Sequence, residues 1–146
     1  MSEIHVIYWS GTGNTAAMAE AVADGIETSA GKAVLLEVGD ACADLLKDAK
    51  AFALGCPAMG DEVLEEGDME PFVKEVEAMA EGKTIGLFGS YDWGDGQWMR
   101  DWVTRMEAAG ATVIGGQGVI ANNTPGNEEL ETCRKLGAAL TGVVMG

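Results

Sequence analysis

Ser10-Gly11-Thr12-Gly13-Asn14-Thr15 follows directly on the apolar run Ile4–Trp9 and opens into an Ala-rich stretch. A strand that ends in glycines, hydroxyls and an amide and then becomes a helix is built to cradle a phosphate. Gly11 and Gly13 permit a tight turn that brings backbone N–H groups close to an anion. Ser10, Thr12, Asn14 and Thr15 add side-chain hydrogen bonds, and a helix starting near Asn14 aims its positive end at the same point. No lysine or arginine lies in or beside the loop. An anion here is held by neutral donors and a dipole.

Two other phosphate loops compete with this reading. A Walker-type loop requires a lysine that is absent, which argues against nucleoside triphosphate chemistry. Gly11-Thr12-Gly13-Asn14-Thr15-Ala16 does satisfy the dinucleotide pattern Gly-x-Gly-x-x-Ala, and Glu37 lies about where the ribose-binding acid of that motif belongs. The density of hydroxyls favours a terminal phosphate monoester, whose three oxygens all need partners. The plainer alternative is a tight turn with a capped helix.

Hydrolytic chemistry finds little support. The single histidine, His5, lies early in the first apolar run, at the opposite end from the loop, so no Ser-His or Cys-His nucleophile can be assembled around it. A phosphoacceptor aspartate would be needed where Cys56 stands. A phosphatase would need a cysteine and an arginine bracketing the first loop. The three cysteines, Cys42, Cys56 and Cys133, are an odd number without a Cys-x-x-Cys pair. They predict buried thiols, with neither a disulfide framework nor a metal site.

Two further stretches carry side chains suited to a flat ligand. Pro57-Ala58-Met59-Gly60-Asp61-Glu62 follows one apolar run, and Ser90-Tyr91-Asp92-Trp93-Gly94 follows another. Trp93, flanked by glycine and small polar residues, reads as a stacking surface, and Met59 as a thioether packing from the other side. Trp98 and Trp102 fall on one helical stripe and read as core.

The elements that must position these loops alternate. Strands are predicted over Ile4–Trp9, Ala33–Val38, Ala51–Gly55, Thr84–Gly89 and Thr112–Ala121, the last interrupted by Gly115, Gly116 and Gly118. Helices are predicted over Asn14–Ser29, Glu70–Ala80, Gln97–Ala109 and Glu128–Leu140, with a short one around Ala41–Lys47. This alternation implies an α/β doubly wound parallel sheet of five strands with helices on both faces. Ligands of such sheets sit at the carboxyl ends of the strands, which gathers the loops after the first, third and fourth strands into one crevice.

The length of 146 residues suits a single domain, 1–146, and 47% apolar with 6% aromatic residues is a globular composition. Nine basic against twenty-four acidic residues leave a formal charge of −15. That excess repels nucleic acid and anionic membranes and attracts basic protein surfaces. With no basic leader and no long apolar run, the expectation is a cytoplasmic protein.

Three stretches together resemble the short-chain bacterial flavodoxins of the clostridial, anaerobe type. They are Tyr8-Trp9-Ser10-Gly11-Thr12-Gly13-Asn14-Thr15, Leu54-Gly55-Cys56-Pro57-Ala58-Met59-Gly60-Asp61-Glu62 and Gly86-Leu87-Phe88-Gly89-Ser90-Tyr91. The resemblance covers essentially the whole chain, which lacks the insertion that long-chain members carry in the last strand. It implies a flavodoxin-like fold of strand order 2-1-3-4-5 and one non-covalent FMN. The function implied is a low-potential electron carrier, not an enzyme, cycling between semiquinone and hydroquinone.

By that likeness Ser10, Gly11, Thr12, Gly13, Asn14 and Thr15 bind the phosphate. Pro57, Ala58, Met59, Gly60, Asp61 and Glu62 border one side of the flavin and reach its N5 and N3 edge. Ser90, Tyr91, Asp92, Trp93 and Gly94 form the other wall, and Asn123 lies near the ring edge. The position between Tyr91 and Trp93 is usually glycine in the similar members, and here it is Asp92.

Gly60 would let its peptide to Asp61 turn its carbonyl toward flavin N5. The acids around the crevice would lower the second reduction potential and dock basic oxidoreductase partners of a monomeric carrier. Two readings compete: a small FMN-dependent NAD(P)H quinone or nitro reductase, and a flavin-free phosphate-binding module.

Overall fold

A computed structural model describes residues 3–60 and 62–145 of the chain. Strand β1, Glu3–Tyr8, leads into helix α1, Asn14–Thr28, and strand β2, Lys32–Glu37. Strand β3, Ala51–Gly55, is followed by helix α2, Met69–Glu77, strand β4, Thr84–Tyr91, and helix α3, Gln97–Ala108. Two short strands, β5 at Thr112–Val113 and β6 at Val119–Asn122, precede helix α4, Asn127–Met145.

All strand pairings are parallel, in the order β2-β1-β3-β4-β5, and β6 pairs with β4 as well. The expected fifth strand is thus two strands on one edge. Thr84 and Ile85 pair with Thr112 and Val113, and pairing resumes at Phe88 with Val119. Between them Gly115 and Gly116 take φ of 71° and 72°, a left-handed backbone that glycine adopts freely and a strand cannot contain.

Strand alternation sorts the core into two layers. Ile4, Val6, Ala51, Ala53 and Phe88 pack with Met18, Val22 and Ile26 of α1 and with Cys133, Leu136 and Leu140 of α4. Ile7, Phe52, Leu54, Ile85 and Leu87 face the other way, against Phe72, Val73 and Val76 of α2 and Trp98, Trp102 and Met106 of α3. A residue step of one on a strand moves a side chain to the opposite face. Helices α1 and α4 cross closely enough to touch backbone to backbone. A Cβ on Gly25 would lie 1.9 Å from the Arg134 carbonyl oxygen, and one on Gly137 would lie 2.1 Å from that of Val22.

Several boundaries differ from the sequence expectation. The short helix around Ala41–Lys47 is instead two 3-10 turns, Val38–Asp40 and Ala43–Leu46. Ala43 and Leu46 are both buried, and a spacing of three aligns side chains in a 3-10 turn. Helix α2 is shorter than expected and α4 is longer. Strand β4 runs two residues beyond Gly89, so Ser90 and Tyr91 belong to the strand. Cys42 is exposed, contrary to the expectation of three buried thiols. Among the described residues no helix is long and apolar enough to cross a membrane.

Candidate functional site

The loops after β1, β3 and β4 meet at the carboxyl ends of the strands. In the first, Gly13 caps α1 with φ 95°. Ser10 Oγ accepts hydrogen bonds from the N–H groups of Gly13 at 3.1 Å and Ala16 at 3.2 Å, and Thr12 Oγ1 accepts from Asn14 N–H at 3.4 Å. The N–H groups of Gly11, Thr12 and Thr15 have no acceptor among the described residues. Thr15 faces inward: its hydroxyl shares a 2.9 Å hydrogen bond with the Ser90 hydroxyl, and both residues are buried. That bond ties the first loop to the end of β4.

The second loop leaves β3 alongside β4, with Ala58 N–H donating to the Ser90 carbonyl at 3.0 Å. It then folds on itself. Met59 N–H donates to the Val63 carbonyl at 2.9 Å, and Glu62 N–H to the Met59 carbonyl at 2.7 Å. Gly60 is exposed at the tip, and a Cβ there would meet nothing within 4 Å. Asp61 lies outside the described residues. Glu62 has φ 54°, and its Oε1 accepts from Gly96 N–H at 3.3 Å, across to the third loop.

Between the loops lies a cavity of about 260 Å³. Gly11, Thr12 and Asn14 line its end at the first loop, Pro57, Ala58 and Met59 one wall, and Ser90, Tyr91, Asp92 and Asn123 the other. Trp9, expected at the end of a strand, lines it too. A Cβ on Gly11 would lie 3.1 Å from the Trp9 ring, so the glycine lets loop and indole pack. Trp93 is 61% exposed, and neither it nor Gly60, Glu62 or Gly94 lines the cavity. Glu37 borders a separate cavity of about 250 Å³ with Asp40 and Asp68. His5 stands in mid-strand opposite Val34, away from both.

Tyr91 is held by its neighbours. Its ring lies 5.6 Å from that of Trp98 at 48°, and Asn123 N–H donates to its carbonyl at 2.7 Å. Trp98 Nε1 in turn donates to the Cys56 carbonyl at 3.1 Å. Burial pushes the Cys56 thiol up to about 12, so it stays protonated and inert. Among the described residues no cluster of His, Cys, Asp and Glu could hold a metal ion.

Acidic groups behind the second loop are engaged. Glu65 accepts from the N–H groups of Gly67, Asp68 and Met69 at 2.7, 2.8 and 3.0 Å. Burial raises its carboxyl, but those three bonds outweigh burial and hold it below the ordinary value. The Arg105 guanidinium bonds both oxygens of Glu70 and one of Glu77, and the hydrogen bond to Arg105 lowers Glu70 likewise.

The Flavodoxin family model matches residues 6–137 of the chain. A flavodoxin of Clostridium beijerinckii is 44% identical over 138 residues, covering 94% of this chain and 99% of that protein. A flavodoxin of Megasphaera elsdenii is 41% identical over 136 residues, covering 93% and 96%. Among solved structures, the solution structure of two-electron reduced Megasphaera elsdenii flavodoxin superposes with a TM-score of 0.84 at 38% identity over 95% of this chain and 98% of that one. A flavodoxin from the domain Archaea superposes with a TM-score of 0.86 at 29% identity, covering 99% of both chains.

Proposed function

The chain belongs to the flavodoxin family, the FMN-dependent electron carriers, and from that premise we propose that its crevice seats FMN for single-electron traffic at low potential between oxidoreductases. The observation that carries this reading is the neutral cradle: three backbone N–H groups without acceptors, at the start of α1, opening on a slot between two loops. A phosphate monoester fits that donor set, since helix N-termini and backbone amides bind anions without a cation. Bound there, the flavin supplies one- and two-electron chemistry.

The protein's own part is to hold and bias. Ser10 through Thr15 take the phosphate, and the Thr15–Ser90 bond keeps cradle and wall in register. Met59 borders the ring from one side, and the exposed Trp93 is free to cover it from the other. Gly60, exposed at the tip of the second loop, has the open space to let its peptide turn toward the ring edge. Asp92, on the crevice wall, places a carboxylate where added negative charge disfavours the fully reduced flavin. The surrounding acids steer basic partner surfaces toward this edge of a cytoplasmic, monomeric, single-domain carrier.

A reductase would have to seat a nicotinamide nucleotide beside the flavin, and the described crevice lining offers a single cradle, taken by the FMN phosphate in this reading, with no Lys, Arg or His to hold further phosphates. The deciding experiment is the visible spectrum of the FMN-loaded protein during stepwise anaerobic reduction. A yellow complex that passes through a distinct blue species is expected. Bleaching in one step, or reduction by NADH alone, overturns the carrier reading.

A further inference from the structure

The outer wall of the crevice hangs from the end of β4, where the pairing with β6 runs out. The last rung of that ladder sets Tyr91 opposite Asn122. Asn123 then takes a left-handed backbone, φ 58°, which asparagine tolerates better than most residues. Its N–H still reaches the Tyr91 carbonyl at 2.7 Å, but the turn carries the chain away before its backbone can serve Asp92. A side chain does so instead. Asn122 Nδ2 donates to the Tyr91 carbonyl at 3.3 Å and to the Asp92 carbonyl at 3.2 Å. The ladder is extended by one residue through an amide.

Beyond that point the loop has few anchors. Gly94 and Gly96 both take φ of 92°, and Trp93 between Asp92 and Gly94 is exposed. The far end is secured by Arg100, which donates to the Asp95 carbonyl and carboxylate, both at 3.0 Å, and by the Glu62 bond to Gly96. The near end rests on Asn122. We propose that Asn122 is a positioning residue for the flavin's outer wall, fixing the direction in which the Asp92 carboxylate and the Trp93 indole leave the sheet. The proposal rests on the reading of the crevice as the FMN site.

Two variants separate its parts. Asn122→Leu keeps the size and removes the donors, and Asn122→Gln keeps an amide donor on a longer stem. In flavin-free protein, the NMR order parameters of the Trp93 backbone and indole are expected to fall in Asn122→Leu while those of α1 and α4 hold. In FMN-loaded protein the readout is a double-mutant cycle on the reduction potential. Asp92→Asn is expected to raise the potential of the parent and to raise that of Asn122→Leu by half as much or less, with Asn122→Gln restoring the full shift. Unchanged Trp93 order, additive shifts, or no shift from Asp92→Asn in the parent would each overturn the proposal. Failure of the parent to bind FMN would instead overturn the reading beneath it, while the flavin-free measurement would still judge the clamp.

Discussion

The carboxylate of Glu62 occupies the space in which a Gly94 side chain would stand. A Cβ built on Gly94 would lie 2.4 Å from Glu62 Oε1, the same oxygen that accepts the Gly96 N–H at 3.3 Å. The two loops flanking the crevice therefore close on each other through one acid and two glycines, and both glycines have left-handed φ.

Gly94→Ala is expected to destabilise the protein by more than the ~1–3 kcal/mol that holding a side chain in left-handed backbone usually costs, because the Glu62 carboxylate stands in the way. In a Glu62→Ala background the steric part disappears and only the backbone cost remains. Denaturant unfolding of the four variants measures both, and equal costs in the two backgrounds would show that the carboxylate simply swings aside.

Trp98 and Trp102 are 2% and 1% exposed and sit on the same face of α3. Their indole N–H groups differ: that of Trp98 bonds the Cys56 carbonyl, whereas that of Trp102 has no partner among the described residues. Trp98→Phe leaves a buried carbonyl unsatisfied, and Trp102→Phe removes an unsatisfied donor. Trp98→Phe is expected to cost about 1–3 kcal/mol more than Trp102→Phe. Equal midpoints in urea would contradict this.

The hydrogen bond from Arg105 lowers the folded carboxyl of Glu70 beneath its ordinary value of 4.5. The unfolded chain therefore takes up the proton first, and the pair's contribution, whole near neutral pH, is lost as pH falls through the folded value. Glu70→Gln is expected to be less stable than the parent near pH 7, with the gap closing as the medium becomes strongly acidic. A gap that is constant with pH would sink the assignment.

Asp92→Asn is expected to raise the potential of the second electron by tens of millivolts. A carboxylate about 10 Å from the flavin at an effective dielectric near 20 would shift it by roughly 70 mV, and exposure to solvent and salt reduces that. Potentiometry at two salt concentrations checks both the sign and the screening. A null result means the side chain turns outward.

Gly60→Val is expected to leave flavin-free stability nearly unchanged, because a Cβ at this tip meets no neighbour within 4 Å. With FMN bound, the separation between the two reduction potentials is expected to shrink, since a β-branched residue stiffens the peptide there. An unaltered separation would remove Gly60 from the redox machinery.

The parts of this molecule legible in its sequence are the local ones. Glycines and hydroxyls at Ser10–Thr15 announce a cradle because cradle chemistry is decided within six residues, and the alternation of apolar runs announces a covered parallel sheet, whose strand order comes only from the likeness to flavodoxins. Features that depend on register across the sheet were invisible. Asn122 reaches Asp92 only because β6 is aligned so that it faces Tyr91, and nothing in Asn122-Asn123 says which of the two points inward. Trp9 looked like the last residue of a strand, yet it lines the crevice because Gly11 leaves room beneath the loop. The bond from Gly96 N–H to the Glu62 carboxylate, which ties two loops together, is likewise absent from any local pattern. Such choices are made by space and partners, which a one-dimensional pattern does not contain.

The break between β5 and β6 has a use for protein engineering. The chain leaves the edge of β4 at Val113 and rejoins the same edge at Val119, with the intervening Gly115–Gln117 exposed. Lengthening a surface loop costs little entropy, about 0.6 kcal/mol per doubling, and both flanking strands are already anchored. A fluorescent reporter or a tether to an electrode could be spliced into this seam and leave the three loops around the crevice untouched.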